Sequence, residues 1–302
     1  MDLQLRVNER VVDRDFKYYI FDWDDNILMM PTRIHLEKLQ PDGSWAPHAV
    51  STALFAVIRR DTVNYRPPQN NWELAFREFR DRGECPAEAF LQDTRTAINA
   101  VLEGEVPPAP SFETFRRTLT EGRLFAIVTA RGHASDTLRK GVQLFMEMVL
   151  TVAEREEMMA NLRGYRYAYD GLHNFGSDDE EIDYYLSLNR YHAVTSPTFK
   201  EWMADGSPGG VVGSSEERKQ FAIRDFVEHI VHILQRTGEP LRRPVSVGFS
   251  DDDPANVVAV EEYIRTTLSR HFPGVKFVVY DTSDPDTAKG RKIVVSGQLN
   301  LF

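Results

Sequence analysis

Four polar side chains, Asp22, Asp24, Asp25 and Asn26, follow directly on the apolar run Tyr18, Tyr19, Ile20 and Phe21. Carboxylates crowded this closely repel one another unless a cation or a shared proton compensates them, so the stretch is either a cation site or an exposed acidic turn. Two carboxylates two residues apart also offer a division of labour. Asp22, at the end of the run, can attack phosphorus if a divalent cation offsets the charges of both partners. Asp24 can protonate a leaving oxygen and later take a proton from the hydrolytic water. Three further polar groups recur downstream: Thr129-Ala-Arg-Gly-His133 after LFAIV, Lys219 in SSEERKQFAIRDF, and Ser250-Asp-Asp-Asp-Pro-Ala-Asn256 after VSVGF. Each has an ordinary reading when taken alone, as a helix cap, a solvated lysine or a turn.

The elements that must position these residues are strands feeding helices. Tyr18 to Phe21 reads as a strand buried on both faces, as in the centre of a parallel sheet. Leu124 to Val128, Val245 to Phe249 and Val275 to Tyr280 read the same way, Tyr191 to Thr195 as a short extended run, and Lys292 to Ser296 as an edge strand. Helices are expected over Glu113 to Thr120 with Ser111 as N-cap, Ala134 to Arg163, Glu216 to Arg236 and Val257 to Phe272. Tyr165 to Asp183 reads as an aromatic, acidic loop, and Asp205 to Ser215 as a Gly/Ser/Pro-rich loop. Between the first two core strands, RIHLEKLQ and WAPHAV flank Pro41-Asp42-Gly43-Ser44, strong turn chemistry for a β-hairpin. Helical pieces follow, with apolar faces at Ala53, Leu54, Ala56, Val57 and Ile58 and at Trp72, Leu74, Ala75 and Phe79, up to the Pro-rich linker Val106 to Pro110. Polar clusters at the ends of strands separated by helical crossovers predict an α/β fold, a three-layer Rossmann-like open parallel sheet with its site at the carboxyl strand ends.

The totals are compatible with that architecture. The 302 residues suffice for a large core with an insertion, and 42% hydrophobic with 27% charged residues is ordinary for a globular protein. No apolar run approaches the roughly 18 residues of a membrane span. The N-terminus is not a signal peptide, which makes a cytoplasmic location the default. The single cysteine, Cys85, rules out an internal disulfide or a thiolate metal cluster and has no local basic partner. A net charge of -10 gives no global attraction for nucleic-acid backbone or anionic lipid, so a nucleic-acid end as substrate finds no support in the charge. The oligomeric state is not legible.

Taken in order, the four groups resemble the motifs of the haloacid dehalogenase-like phosphohydrolase superfamily. YYIFDWDDNIL matches its strand ending in D-x-D, with Asn26 where Thr or Val is usual. LFAIVTARG resembles its second strand, and DDDPAN, through Asp251, Asp252, Pro254 and Asn256, its acidic motif of the form DDxPxN. The resemblance implies Asp22 as nucleophile and Asp24 as general acid/base. It implies Thr129 donating its hydroxyl, and Ala130 its backbone N–H, to a phosphoryl oxygen. It also implies a lysine that neutralises nucleophile and phosphate; Lys219 is favoured over Lys200 in SPTFKEWM. Mg²⁺ would be held by Asp22, the Asp24 backbone carbonyl and Asp252, with Asp251 bound directly or in support. Arg131 and His133 are optional extras; Arg131 either grips phosphate or lies on the surface.

The same resemblance assigns residues 1–32 and 111–302 to the core and residues 33–110 to a β-hairpin flap and helical cap-like insertion. Within the cap, Arg59, Arg60, Arg66, Trp45 and Trp72 are candidates for substrate contact or for plain packing. Residues 134–189 exceed a plain crossover, as a further lid or an assembly surface. The activity implied is Mg²⁺-dependent hydrolysis of a small phosphomonoester through phospho-Asp22. The alternatives are a phosphotransferase or mutase using the same core, and a non-catalytic phospho-ligand-binding protein.

Overall fold

The computed structural model describes residues 5–83, 87–206, 213–237, 244–284 and 290–296. Cys85 and much of the stretch from Asp205 to Ser215 lie outside these residues. The strands are β1 (Phe16–Phe21), β2 (Ile34–Leu39), β3 (Trp45–Val50), β4 (Tyr65–Arg66), β5 (Phe125–Thr129), β6 (Arg190–Ala193), β7 (Val245–Asp251), β8 (Val275–Asp281) and β9 (Arg291–Ser296). Six of them form a sheet in the order β6-β5-β1-β7-β8-β9, parallel throughout except for antiparallel β9 at the edge.

The alternation of side chains along each strand decides which layer it feeds. Phe21, Phe125 and Ile127 point into one apolar cluster with Trp23, Phe115, Leu138 and Phe145, covered by helices Glu88–Leu102, Phe112–Thr120, Ser135–Val149 and Val152–Asp170. Tyr18, Ile20, Ala126, Val128, Val247 and Phe249 point the other way, onto Ala222, Phe226 and Ile230 of helix Ser215–Arg236 and Val260 of helix Pro254–Tyr263. With both faces buried, the strands read as continuous apolar runs, and the α/β three-layer architecture follows. No helix among the described residues is long and apolar enough to cross a membrane.

The segment between β1 and β5 has two parts. The hairpin forms as expected, with Gly43 in the left-handed region (φ 82°) and the Asp42 carboxylate accepting from Ser44 N at 2.9 Å. With β4 it makes a three-stranded antiparallel sheet over a small core of Ile34, Leu36, Val50, Ala75 and Phe79. Helix Thr52–Ile58 buries none of its residues, and Val57 is 80% exposed, so the expected packed face there is absent; only Phe55 and Ile58 reach the flap core. Helix Glu88–Leu102, by contrast, places Phe90, Ala97 and Ile98 in the main core cluster.

That docking depends on Gly141. A Cβ there would sit 2.6 Å from Phe90 Cε1 and 3.4 Å from the Trp23 ring. Both rings are fully buried and have nowhere to retreat. Gly141→Ala is therefore expected to destabilise by about 1–2 kcal/mol in denaturant unfolding, overpacking outweighing the gain of about 1 kcal/mol in helix propensity.

Three local expectations need correction. Of residues 165–183 only 171–177 form a loop: helix Val152–Asp170 runs on to Gly171 at φ 64°, and helix Asp178–Ser187 starts at a capping box in which Ser177 and Glu180 satisfy each other's backbone N–H. The helix expected over Val257 to Phe272 begins at Pro254, behind the Asp253 N-cap, and passes through a π-helical turn at Ile264–Leu268. Ser111 precedes helix Phe112–Thr120 but makes no capping bond, because its hydroxyl is used elsewhere.

Candidate active site

The register of the sheet brings the motif residues to one edge. Phe21 pairs with Ile127 on one side and Ser250 on the other, so Asp22, Thr129 and Asp251 leave the sheet together at its carboxyl end. Asp22, Asp251 and Asp252 each bring a carboxylate oxygen within 4.8 Å of the others. Lys219, 1% exposed near the start of helix Ser215–Arg236, donates to Asp22 Oδ2 at 3.1 Å and to Asp251 Oδ2 at 2.6 Å. Lys200 lies on helix Pro197–Gly206 and takes no part in this cluster.

Each acid is oriented by backbone as well as by charge. Asp22 Oδ1 accepts from Trp23 N at 2.8 Å. Asp251 Oδ1 accepts from Asp253 N and from Asn256 Nδ2, both at 3.0 Å, which explains Asn256 in the acidic motif. Burial first, and then the neighbouring charges of Asp251 and Asp24, push the Asp22 carboxyl up to about 7 against the pull of Lys219. Burial, with Asp251 and Asp22 beside it, holds Asp252 well above the carboxylate range. For Lys219 burial acts to lower the pKa, but Asp22 and Asp251 outweigh it and hold the ammonium charged. One monovalent cation thus leaves three acids under-compensated, and these hard oxygens are the set that could hold a divalent cation.

Asn26 is more than a turn residue. Fully buried, it donates to Asp22 O at 3.0 Å and Ser250 Oγ at 2.9 Å. Its Oδ1 accepts from Ser111 Oγ at 2.8 Å and Thr282 Oγ1 at 2.9 Å. It ties the segments just after β1 and β8, the end of β7 and the start of helix Phe112–Thr120 into one polar knot. Asp25, at φ 53°, closes the turn through its N–H to Leu28 O and accepts a short hydrogen bond from Thr52 at the start of the flap helix. Arg59, at the other end of that helix, pairs with Asp253 at 3.1 Å, so both ends of the helix are held by acids of the site loops.

Asp24 is engaged differently from the other acids. Its carboxylate is gripped at both oxygens by Arg131, Nε at 2.8 Å and a terminal nitrogen at 2.6 Å. Arg131 also donates to Thr32 Oγ1 at 2.7 Å, and Thr32 in turn donates to Asp93 Oδ2 at 2.7 Å on helix Glu88–Leu102. The guanidinium lies between the rings of Phe79 and Phe90, 4.8 and 5.1 Å from their centroids. A surface position for Arg131 is thereby overturned, since it is 1% exposed, and the fork expected to grip phosphate is turned to Asp24. Local sequence carries no sign of this pairing, because it joins residues far apart in the chain and is covered by a ring of helix Glu88–Leu102.

His133 is equally buried and packs against the Phe90 ring, centroids 4.9 Å apart and planes tilted by 42°. Burial, and then the charge of Arg131, push it down to about 3 from an ordinary 6.5. The unfolded chain therefore binds a proton between these values that the folded chain refuses, so His133's contribution to stability is present above about pH 6.5 and lost as pH falls towards 3. The wild-type protein is expected to lose about 2 kcal/mol more than His133→Leu between pH 7.5 and pH 5, read from denaturant midpoints at the two pH values.

Thr129 is buried at the end of β5 and accepts from Arg131 N at 3.4 Å, while Ala130 is exposed with its carbonyl accepting from Thr195 Oγ1 at 2.9 Å. Both line a cavity of about 470 Å³ that also includes Asp22, Asp24, Asp252 and Lys219, and whose opposite wall comes from the flap. Of the other residues weighed for substrate contact, Arg59 and Trp72 line this cavity, whereas Arg66 stacks on Trp45 at 4.1 Å within the hairpin sheet. Comparison with known protein families, curated proteins and solved structures finds no match. The functional reading therefore rests on the residues of this chain.

Proposed function

We propose that the chain is a Mg²⁺-dependent phosphomonoester hydrolase of the haloacid dehalogenase-like kind, working through an aspartyl phosphate on Asp22. The observation that carries this reading is the convergence of Asp22, Asp251 and Asp252 around Lys219 at the carboxyl edge of a parallel sheet, beneath a cavity. Oxygen-only donors, crowded together with a single lysine between them, fit a small divalent cation. Asp22, Asp252 and Asp251 would hold Mg²⁺, which when bound offsets the charge on the attacking carboxylate and on the phosphate.

In the first step an Asp22 oxygen attacks phosphorus, and the ester oxygen departs with a proton from Asp24. In the second, water attacks the phosphoryl group of phospho-Asp22, returns a proton to Asp24, and restores the Asp22 carboxylate with release of inorganic phosphate. Lys219 offsets charge on Asp22 throughout. The Thr129 hydroxyl and the Ala130 N–H are the donors offered to the phosphoryl oxygens. Because Arg131 occupies both oxygens of Asp24, one of those hydrogen bonds opens before Asp24 transfers a proton.

That same pairing is the one observation favouring the alternative of a non-catalytic phospho-ligand-binding protein. A panel of phosphate monoesters assayed for phosphate release with Mg²⁺ and with chelator separates the two. Release that depends on Mg²⁺ supports the hydrolase. Binding of phosphate esters with no release from any of them supports the alternative.

A further inference from the structure

The cavity above the carboxylates extends well past the room a phosphate needs. At about 470 Å³ it falls within the range of sites for whole small molecules, roughly 300–1,000 Å³. Its far wall is built from Phe55, Trp72 and Phe76 of the flap. The Trp72 and Phe76 rings lie 6.0 Å apart with planes inclined by only 31°, and Phe55 meets them nearly edge-on, at 71° and 89°. Flap packing buries Ala75 and Phe79 and takes up part of Phe55 and Phe76, but leaves Trp72 48% exposed beside the cavity.

The cations in the wall are each paired with an acid. Arg59 pairs with Asp253 at 3.1 Å, Arg80 with Glu73 at 3.0 Å, Arg131 with Asp24, and Lys219 with Asp22 and Asp251. Every Arg and Lys among the described lining residues has a carboxylate partner, so a second anionic group on the substrate would compete with one.

We infer that the substrate is a phosphomonoester whose leaving group carries an uncharged, flat aromatic ring, seated against Phe55, Trp72 and Phe76. This inference rests on the phosphomonoesterase reading above. Aromatic rings attract one another through offset and edge-to-face contacts at centroid distances of about 4.5–7 Å, so a ring entering this wall gains more than a saturated group of equal size. A nucleobase and a simple aryl group share that chemistry.

Two matched pairs of esters test it, each with the same type of primary alcohol leaving from phosphorus. Adenosine 5'-phosphate is compared with ribose 5-phosphate, and benzyl phosphate with cyclohexylmethyl phosphate. The aromatic member of at least one pair is expected to have a kcat/KM higher by on the order of tenfold, mainly through KM. In Trp72→Ala that ratio falls towards one, and in Trp72→Phe most of it returns. Discrimination in the first pair alone identifies a nucleobase, and in the second alone a simple ring. Equal kcat/KM within both pairs would overturn the inference and leave the phosphatase intact. If no ester is hydrolysed, the same pairs are compared by calorimetric binding in Mg²⁺. Tighter binding of the aromatic member, lost in Trp72→Ala, then supports the aromatic site while the hydrolase reading falls; equal binding overturns both.

Discussion

Replacing Asp22 with Asn is expected to lower phosphate release by about four orders of magnitude or more, since the amide cannot form the acyl phosphate through which turnover runs. The fold should survive the change. Asn keeps an acceptor for Trp23 N–H, and Lys219 retains Asp251 at 2.6 Å. Charge on Asp22 is disfavoured by burial, so the neutral isostere removes an expensive group along with an ion pair, and the two effects offset each other. Phosphate release and cooperative thermal unfolding, measured on the same sample, check both halves. Near-normal turnover in the variant would remove Asp22 from the chemistry.

The second large effect is expected at Lys219. Lys219→Met preserves much of the side-chain volume but leaves Asp22 and Asp251 buried without their shared cation. Breaking a buried ion pair from one side costs about 3–5 kcal/mol, so the variant should unfold at markedly lower denaturant in the presence of chelator. Mg²⁺ should then stabilise the variant more than the wild-type protein, because the metal takes over charge compensation that the ammonium no longer supplies. Equal Mg²⁺ stabilisation of both proteins would mean that the carboxylates do not share a cation site. Activity should be lost whether or not Mg²⁺ restores stability, since the lysine also offsets charge on the nucleophile.

Much of this arrangement is legible in the sequence because it is carried by local pattern and by order. Apolar runs that end in Asp22, Thr129 and Asp251 mark strands buried on both faces, and in a parallel sheet such ends lie on one edge. Lys219 is singled out by the resemblance, which asks for a lysine on the helix that feeds β7; its own neighbours read as a solvated surface. The contacts that escaped notice are those made between distant segments. Asn26 reads locally as a turn residue, yet its four polar partners come from the carboxyl ends of three strands and the start of a helix. Ser111 has the composition of an N-cap and is recruited into that knot instead. Arg131 carries nothing in its neighbours to announce that it is covered by Phe79 and Phe90 and bonded to Asp24. The helices within residues 165–183 were legible in principle, since Ser177 and Glu180 form a capping box, but the aromatic and acidic composition around them obscured it.

The covalent intermediate is the central claim, and it can be observed directly. With p-nitrophenyl phosphate, whose phenolate leaves without needing a proton, the proposed mechanism predicts that loss of phosphate from the enzyme limits turnover and that phosphoenzyme accumulates. Acid quenching in the presence of Mg²⁺, followed by peptide mass spectrometry, should find one phosphoryl group on Asp22, removable by hydroxylamine as an acyl phosphate is, and absent from Asp22→Asn. Steady hydrolysis with no phosphoenzyme, or a hydroxylamine-stable phosphate on another residue such as Thr129, would contradict it.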